Sequence, residues 1–398
     1  MNNSFKKFFL ILTIAGINSA AFAQIQSSQL DGRVNTINTA VPFLRIDPDA
    51  RSGAMGDVGI GLSPDANSIF WNMAKLSFVG EGKTEAEQEK FGLGATFTPW
   101  LKALVNDIYL GYLSGYYKLD KDQALSASLQ YFSLGSITFT DYQGQSLGQF
   151  NPHELAFSFG YSRKLTTNFS TGVTLKYVYS NLATGFNVNG VAIHPGNAAA
   201  GDVSFFYHHK ALVGSYKGHY NIGATIADVG NKITYTESAQ NKDFLPTNLG
   251  IGGALTLEFD KYNTLTIATD INKLLVPTPD SAGDFRTKSV PAGIFGSFGD
   301  APGGFSEEMH ELMYSAGVEY WYDNQFAIRA GYFNEHSTKG DRKYLTAGLG
   351  VKYHVFGLNF SYLIPTTSNR NPLDNTLRFS LLFDFGAMKG DGAAAPTE

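Results

Sequence analysis

Residues 169–181 read FSTGVTLKYVYSN. Phe169, Thr171, Val173, Leu175, Tyr177 and Tyr179 hold one set of alternate positions; Ser170, Gly172, Thr174 and Lys176 hold the other. Successive side chains of an extended chain point to opposite sides, so this stretch is a strand with one bulky face and one small, polar face. It is long enough to cross a bilayer at a tilt, which takes about 9–11 residues. A strand of that length, apolar on one side and carrying a lysine on the other, suits a wall between lipid and a polar lumen.

The pattern recurs. Leu377, Phe379, Leu381, Phe383 and Phe385 alternate with Arg378, Ser380 and Asp384, and Phe356, Leu358, Phe360, Tyr362 and Ile364 repeat the period. Strands are predicted over 91–99, 107–118, 123–132, 153–164, 169–181, 201–211, 217–228, 247–259, 263–272, 310–323, 325–335, 342–354, 356–365 and 375–385. That is about fourteen, and bacterial outer-membrane barrels have even strand numbers. The polar faces put Lys176, Asp270, Glu319, Arg329 and Arg378 in the lumen. Connections alternate as well: 119–122, 165–168, 260–262 and 323–325 are short, whereas 133–152, 182–200, 229–246 and 273–309 are long. Barrels have short periplasmic turns and longer outer loops. An even count starting from a periplasmic N-terminus returns the C-terminus to the periplasm. Tyr320, Trp321, Tyr322, Tyr353 and Phe385 fall at strand ends beside short turns, where an interfacial aromatic girdle is expected.

Composition agrees with this all-β reading. The chain of 398 residues holds 43 Gly, 14% aromatic and 16% charged residues, against a usual charged fraction of about 25%. A helical membrane bundle needs apolar runs of about 20 residues, and none follows the N-terminus. The net charge of −5 argues against a nucleic-acid partner. The absence of Cys excludes disulfides, thiolate chemistry and a lipobox anchor.

The first 23 residues read as a signal peptide: Lys6 and Lys7, an apolar run over 8–17, and Ala21-Phe22-Ala23 as the cleavage site. Such a leader ahead of a barrel implies a Gram-negative outer membrane. Residues 24–90 form an N-terminal periplasmic or hatch segment, with 24–47 as an extended periplasmic lead. Residues 91–386 form the barrel, and 387–398 a disordered tail.

Within the N-terminal segment, residues 49–76 read DARSGAMGDVGIGLSPDANSIFWNMAKL. Small residues with spaced polar groups let a backbone pass close to another surface, and the apolar content is too scattered for a membrane span. The residues Arg51, Ala54-Met55-Gly56, Gly59, Gly61, Asp65-Ala66, Asn72, Ala74 and Leu76 form a pattern that resembles the opening of the FadL-like outer-membrane barrels. Within that group it is most similar to the PorV (LptO) type of the type IX secretion system of Bacteroidetes. The wider pattern has Pro after the Asn, where this chain has Met73. The resemblance implies a transmembrane antiparallel β-barrel with its N-terminal segment in or under the lumen, and a hatch motif carried by Arg51, Met55, Gly56, Asp65 and Asn72. That stretch reads as a plug or as a binding element. The resemblance also implies a non-enzymatic secretion adaptor. Its partners would be the type IX translocon barrel protein, the C-terminal domains of cargo and a sortase-like surface attachment complex, in a setting of outer-membrane lipid and LPS. A FadL-like transporter of hydrophobic small molecules is the alternative, and an LPS deacylase a second one.

Residue chemistry adds little catalysis. Gly144-Gln145-Ser146-Leu147-Gly148 matches G-x-S-x-G literally, but a nucleophile elbow needs a strand, a strained turn and a helix, and a barrel loop surrounds this one. His208-His209, His310-Glu311 and His153-Glu154 are neighbours within predicted strands, so each pair points to opposite faces and cannot share a ligand. No catalytic, metal or cofactor site is expected. The long loops carry apolar side chains: Phe139, Tyr142, Phe150, Phe186, Val188, Ile193, Ile294, Phe295, Phe298 and Phe305. Such residues either fold onto the barrel mouth or mark a partner surface, and the resemblance implies partners. The lumen charges read as ion-paired packing against the N-terminal segment or as a transport path, since confined charges need partners.

Overall fold

A computed structural model describes residues 35–81, 89–100, 107–140, 143–185, 187–188, 191–237, 242–279, 285–367 and 376–386. The expected leader, the 387–398 tail, Tyr142 and Phe186 lie outside the described residues.

The chain is built from strands β1 (Glu89–Pro99), β2 (Ile108–Lys118), β3 (Gln123–Leu134), β4 (Ile137–Thr140), β5 (Ser146–Phe150), β6 (His153–Lys164), β7 (Phe169–Asn181), β8 (Asn187–Val188), β9 (Val191–Ala192), β10 (Gly196–Val213) and β11 (Tyr216–Gly230). They are followed by β12 (Asn248–Glu258), β13 (Asn263–Leu274), β14 (Met313–Tyr322), β15 (Phe326–Asn334), β16 (Lys343–Tyr353), β17 (Phe356–Pro365) and β18 (Leu377–Gly386). Among the described residues fourteen of these close into an antiparallel barrel, with β1 sealing against β18. The remaining four make two small hairpins, β4–β5 and β8–β9, in long connections.

The period of two sets inside and outside. Leu175 is 71% exposed and Leu113 55%, while Ser170 and Thr174 are fully buried. A water-soluble protein would show the reverse; apolar residues outside and polar residues inside are the pattern of a barrel wall in lipid. The girdle needs one correction. Tyr322 is exposed, but Trp321 turns inward: its ring lies under the Arg329 guanidinium and it lines the lumen. Strict alternation places the middle residue of Tyr320-Trp321-Tyr322 on the opposite face. A second correction concerns His310, expected in a strand. It ends a short helix, Phe305–His310, and β14 begins three residues later.

Residues 36–81 run down the interior. Val41, Phe43 and Leu44 are buried with Trp100, Phe132, Leu245, Val276 and Leu363, all at the long-loop end. At the other end Lys118 Nζ donates to the Ser77 carbonyl at 2.7 Å, and Lys164 pairs with Glu81 at 2.8 Å. The described part of the expected periplasmic lead, residues 36–47, is therefore folded into the long-loop end of the lumen. Its apolar side chains find a dry core there that an extended lead would not offer.

Candidate functional site

The interior segment is fixed to the wall by local turns that aim polar groups outward. Asp49 caps the short helix Ala50–Gly53 by accepting from the Ser52 N–H at 2.9 Å, and its other oxygen accepts from Trp71 Nε1 at 2.7 Å. The cap places Arg51 beside Glu319 of β14. NH2 donates to Oε1 at 2.8 Å and Nε to Oε2 at 3.0 Å, a two-bonded fork. NH1 of the same guanidinium reaches Asp65 Oδ2 at 3.1 Å. Glu319 also accepts from Arg329 Nε at 2.6 Å, and Arg329 NH1 donates to Asn359 at 2.8 Å. One buried carboxylate thus holds two guanidiniums, one from the plug and one from the wall.

Asp270 of β13 accepts from the backbone N–H of Gly59 at 2.7 Å and of Ile60 at 2.9 Å. Asp57 accepts from the Tyr344 hydroxyl and lies 3.7 Å from Arg378. Lys176 bridges Asp202 at 3.0 Å and Asp228 at 2.7 Å. All five charges expected in the lumen are there, and Asp270, Glu319 and Arg378 face the N-terminal segment directly. Lys75, on the plug itself, donates to the Gly59 carbonyl at 2.6 Å.

The motif residues now have physical tasks. Met55 sits against the backbone of the inward glycines Gly317 and Gly331; a Cβ on either would fall far inside van der Waals contact with it. Gly56 has φ +73° and a Cβ there would lie 2.5 Å from the Tyr332 nitrogen, so both its backbone conformation and its proximity demand glycine. Its N–H donates to Thr346 Oγ1 at 2.8 Å. Asn72 caps the turn Met73–Phe78 through the Ala74 N–H at 3.0 Å and donates to the Phe205 carbonyl at 3.0 Å. Met73 is buried against Gly160, filling space with a flexible side chain. What the sequence reading missed was the inward glycine set, which was legible as glycines on the lumen-facing phase of β14, β15 and β16.

Among the described residues, cavities lie against the plug at both ends. One of about 120 Å³ is lined by Arg45, Asp47, Asp57, Lys176, Asp228 and Arg342 among others. Another, about 1580 Å³, lies at the short-turn end, with Arg51, Pro64, Asp65 and Glu81 of the plug in its wall. Both are polar.

At the long-loop end the connection between β13 and β14 folds into the short helices Val290–Gly296 and Phe305–His310. Its base is pinned by buried charges. Lys273 pairs with Glu308 at 3.0 Å and with Glu311; Lys339 pairs with Glu311 at 3.0 Å and Glu307 at 2.6 Å. Thr278 Oγ1 donates to Glu311 at 2.7 Å. Phe295 and Phe305 are about four-fifths exposed, and Phe298 and Met309 are exposed beside them. The other loop candidates stand differently. Phe139 and Phe150 pair across the β4–β5 hairpin with ring centroids 6.5 Å apart. Ile193 and Ile294 are half-buried, and Val188 lies in β8.

Ser146 opens β5 of that hairpin, so strand follows it where a nucleophile elbow requires helix. His208 faces inward and pairs with Asn221 at 2.8 Å, while His209 meets Asn168 at 3.2 Å. Glu154 is buried and accepts from Ser180 Oγ at 2.7 Å, while His153 stacks between Tyr131 and Tyr179, each about 6.0 Å away. His310 lies flat on His336, centroids 3.6 Å apart. Among the described residues no group of three or more His, Asp or Glu is placed to hold a metal.

No curated protein matches the chain. It is similar to the solved structure of the toluene transporter TodX of P. putida, at 13% identity and a TM-score of 0.47, over 85% of this chain and 98% of that one. It is similar also to a FadL homologue of Pseudomonas aeruginosa, at 11% identity and a TM-score of 0.39, over 88% of this chain and 99% of that one. The family model of the type IX secretion system protein PorV matches residues 28–281, more than half of the chain, and this outer-membrane barrel belongs to the PorV family of type IX secretion system proteins.

Proposed function

We propose that this outer-membrane component of the type IX secretion system acts as an adaptor: it binds the translocon barrel, receives exported cargo through the cargo's C-terminal domain, and passes it to a sortase-like surface attachment complex. The observation that carries this reading is the pairing of an ion-paired plug inside the lumen with a pinned outer loop that exposes Phe295, Phe298 and Phe305. Aromatic side chains on a pre-ordered support are efficient binding anchors, because little freedom is lost on contact. A transporter of hydrophobic molecules needs a continuous apolar path. Here the space at the short-turn end has charged walls and meets Arg51 and Asp65 of the plug.

The test is native purification from outer membranes in mild detergent, comparing the wild type with Phe295→Ser/Phe298→Ser/Phe305→Ser. The wild type is expected to bring a very large outer-membrane protein and secreted proteins that share a C-terminal domain, and the triple variant to lose at least one of them. Recovery of only lipid or fatty acid with the wild type would sink the adaptor reading in favour of a transporter.

A further inference from the structure

The interior segment runs through the barrel in one direction. Ala40 N–H donates to the Phe244 carbonyl at 2.9 Å, in the long connection between β11 and β12. Thr36 and Ile37 line a cavity of about 120 Å³ with Glu335, Lys339 and Gly340 of the connection between β15 and β16. Arg51 and Ile60 lie midway, bonded to Glu319 and Asp270. Ser77 and Phe78 reach the short-turn end, at Lys118 and Phe206, where β1 then begins.

Midway along the barrel the plug lies directly against the wall. A Cβ on Gly61 would lie 2.8 Å from the Gly253 carbonyl carbon, and one on Gly56 2.5 Å from the Tyr332 nitrogen. A second extended strand does not fit where backbones already touch. Nor does lipid admit a chain with unpaired backbone groups. The described segment therefore has its first residues at the long-loop end and its last at the short-turn end.

We infer that the plug is threaded into the lumen from the cell-surface side, and that its leading residues 36–40 belong to the exterior face on which the long loops stand. This rests on the reading that the long loops face outward. It runs against the extended periplasmic lead expected over 24–47. It also makes this end of the plug part of the surface that an exterior partner meets: a pull on it acts directly on Phe43 and Leu44, both buried in the outer core.

The chain has no cysteine, so single-cysteine labelling on intact cells with a membrane-impermeant maleimide is clean. Three exposed positions decide it: Asn38→Cys at the leading end, Thr138→Cys in the β4–β5 hairpin and Lys121→Cys in the short turn after β2. The expected result is that Asn38→Cys labels as fully as Thr138→Cys on intact cells, and Lys121→Cys labels only after permeabilisation. Asn38→Cys behaving like Lys121→Cys overturns the inference while leaving the loop orientation intact. Thr138→Cys protected and Lys121→Cys labelled would instead overturn the orientation, and the threading with it. Should Asn38→Cys be shielded in both preparations, the pair Ala40→Cys/Phe244→Cys decides. Oxidative cross-linking of it in native membranes places the leading end against the outer loop, and its failure to cross-link refutes the placement.

Discussion

Arg51 and Glu319 lie 268 positions apart in the chain and meet in a two-bonded fork at 2.8 and 3.0 Å. The fork is asymmetric in what its loss would leave behind. Without Arg51, Glu319 keeps Arg329 at 2.6 Å. Without Glu319, Arg51 and Arg329 face one another with no shared carboxylate. Removing one partner of a buried pair costs about 3–5 kcal/mol, because an uncompensated charge remains; losing a hydrogen bond to a charged group costs about 1.5–3 kcal/mol. Glu319→Ala is thus expected to loosen the plug more than Arg51→Met. Ion conductance in planar bilayers and tryptic cleavage at Lys75 measure this. Equal behaviour of the two variants would show that the fork does not clamp the plug.

Met55 needs the absence of side chains on its neighbours. Gly331→Ala and Gly317→Ala each put a methyl group into the Met55 backbone. Overpacking of a filled interior costs about 1–3 kcal/mol, and here the cheapest relief is a displaced plug. Gly253→Ala is the control. Its Cβ meets nothing nearer than 3.7 Å, on the same barrel. The first two variants are expected to raise conductance while still migrating as heat-modifiable barrels on a gel, and the control to match the wild type. A silent Gly331→Ala would mean that the plug is not seated as described.

Those glycines also show what was legible in the sequence. Alternation of Leu175 with Thr174, or Phe379 with Arg378, fixes inside and outside because the strand period is two, and a one-residue slip would reverse every side chain. Lys176, Asp270, Glu319, Arg329 and Arg378 were therefore readable as lumen residues without coordinates. Their partners were not, since Arg51 and Glu319 are joined by tertiary geometry that no local pattern encodes. The helices Val290–Gly296 and Phe305–His310 were hidden for a related reason. Each is too short to show helical period, and the second is pinned by Lys273 and Lys339 from distant segments. The burial of residues 36–47 was hidden as well, since a polar, mixed stretch carries no period of its own and its apolar side chains find partners only among distant loop residues such as Leu245 and Leu363.

Glu311 is the hub of the long connection between β13 and β14. It is buried and pairs with both Lys273 and Lys339 while accepting from Thr278. Glu311→Ala takes one carboxylate from each of two ammoniums, which keep Glu308 and Glu307, and losing a hydrogen bond to a charged group costs about 1.5–3 kcal/mol. The loop over 275–312 is expected to become a substrate for limited proteolysis, while the barrel itself resists. If the loop is what holds Phe295 and Phe305 in place, co-purification of partners should fall in parallel. Proteolysis without any loss of partners would separate the loop's rigidity from its binding role.

The stacked rings of His310 and His336 give this face a dependence on pH. Burial, then the nearby His310, hold the His336 imidazole below its ordinary value; Lys343 and Lys339 act in the same direction, and Asp341 opposes them. A base held low favours its neutral form in the folded contact, so the open loop takes up the proton more readily. The contact is therefore fully present above the ordinary histidine value of about 6.5 and is lost as pH falls through the lower folded value. Amide exchange over 335–341, corrected for intrinsic rates, is expected to accelerate on going from pH 7.5 to about 5. His336→Asn, which cannot take up a proton, should flatten that response. An unchanged pH response in His336→Asn would assign the sensitivity to another group.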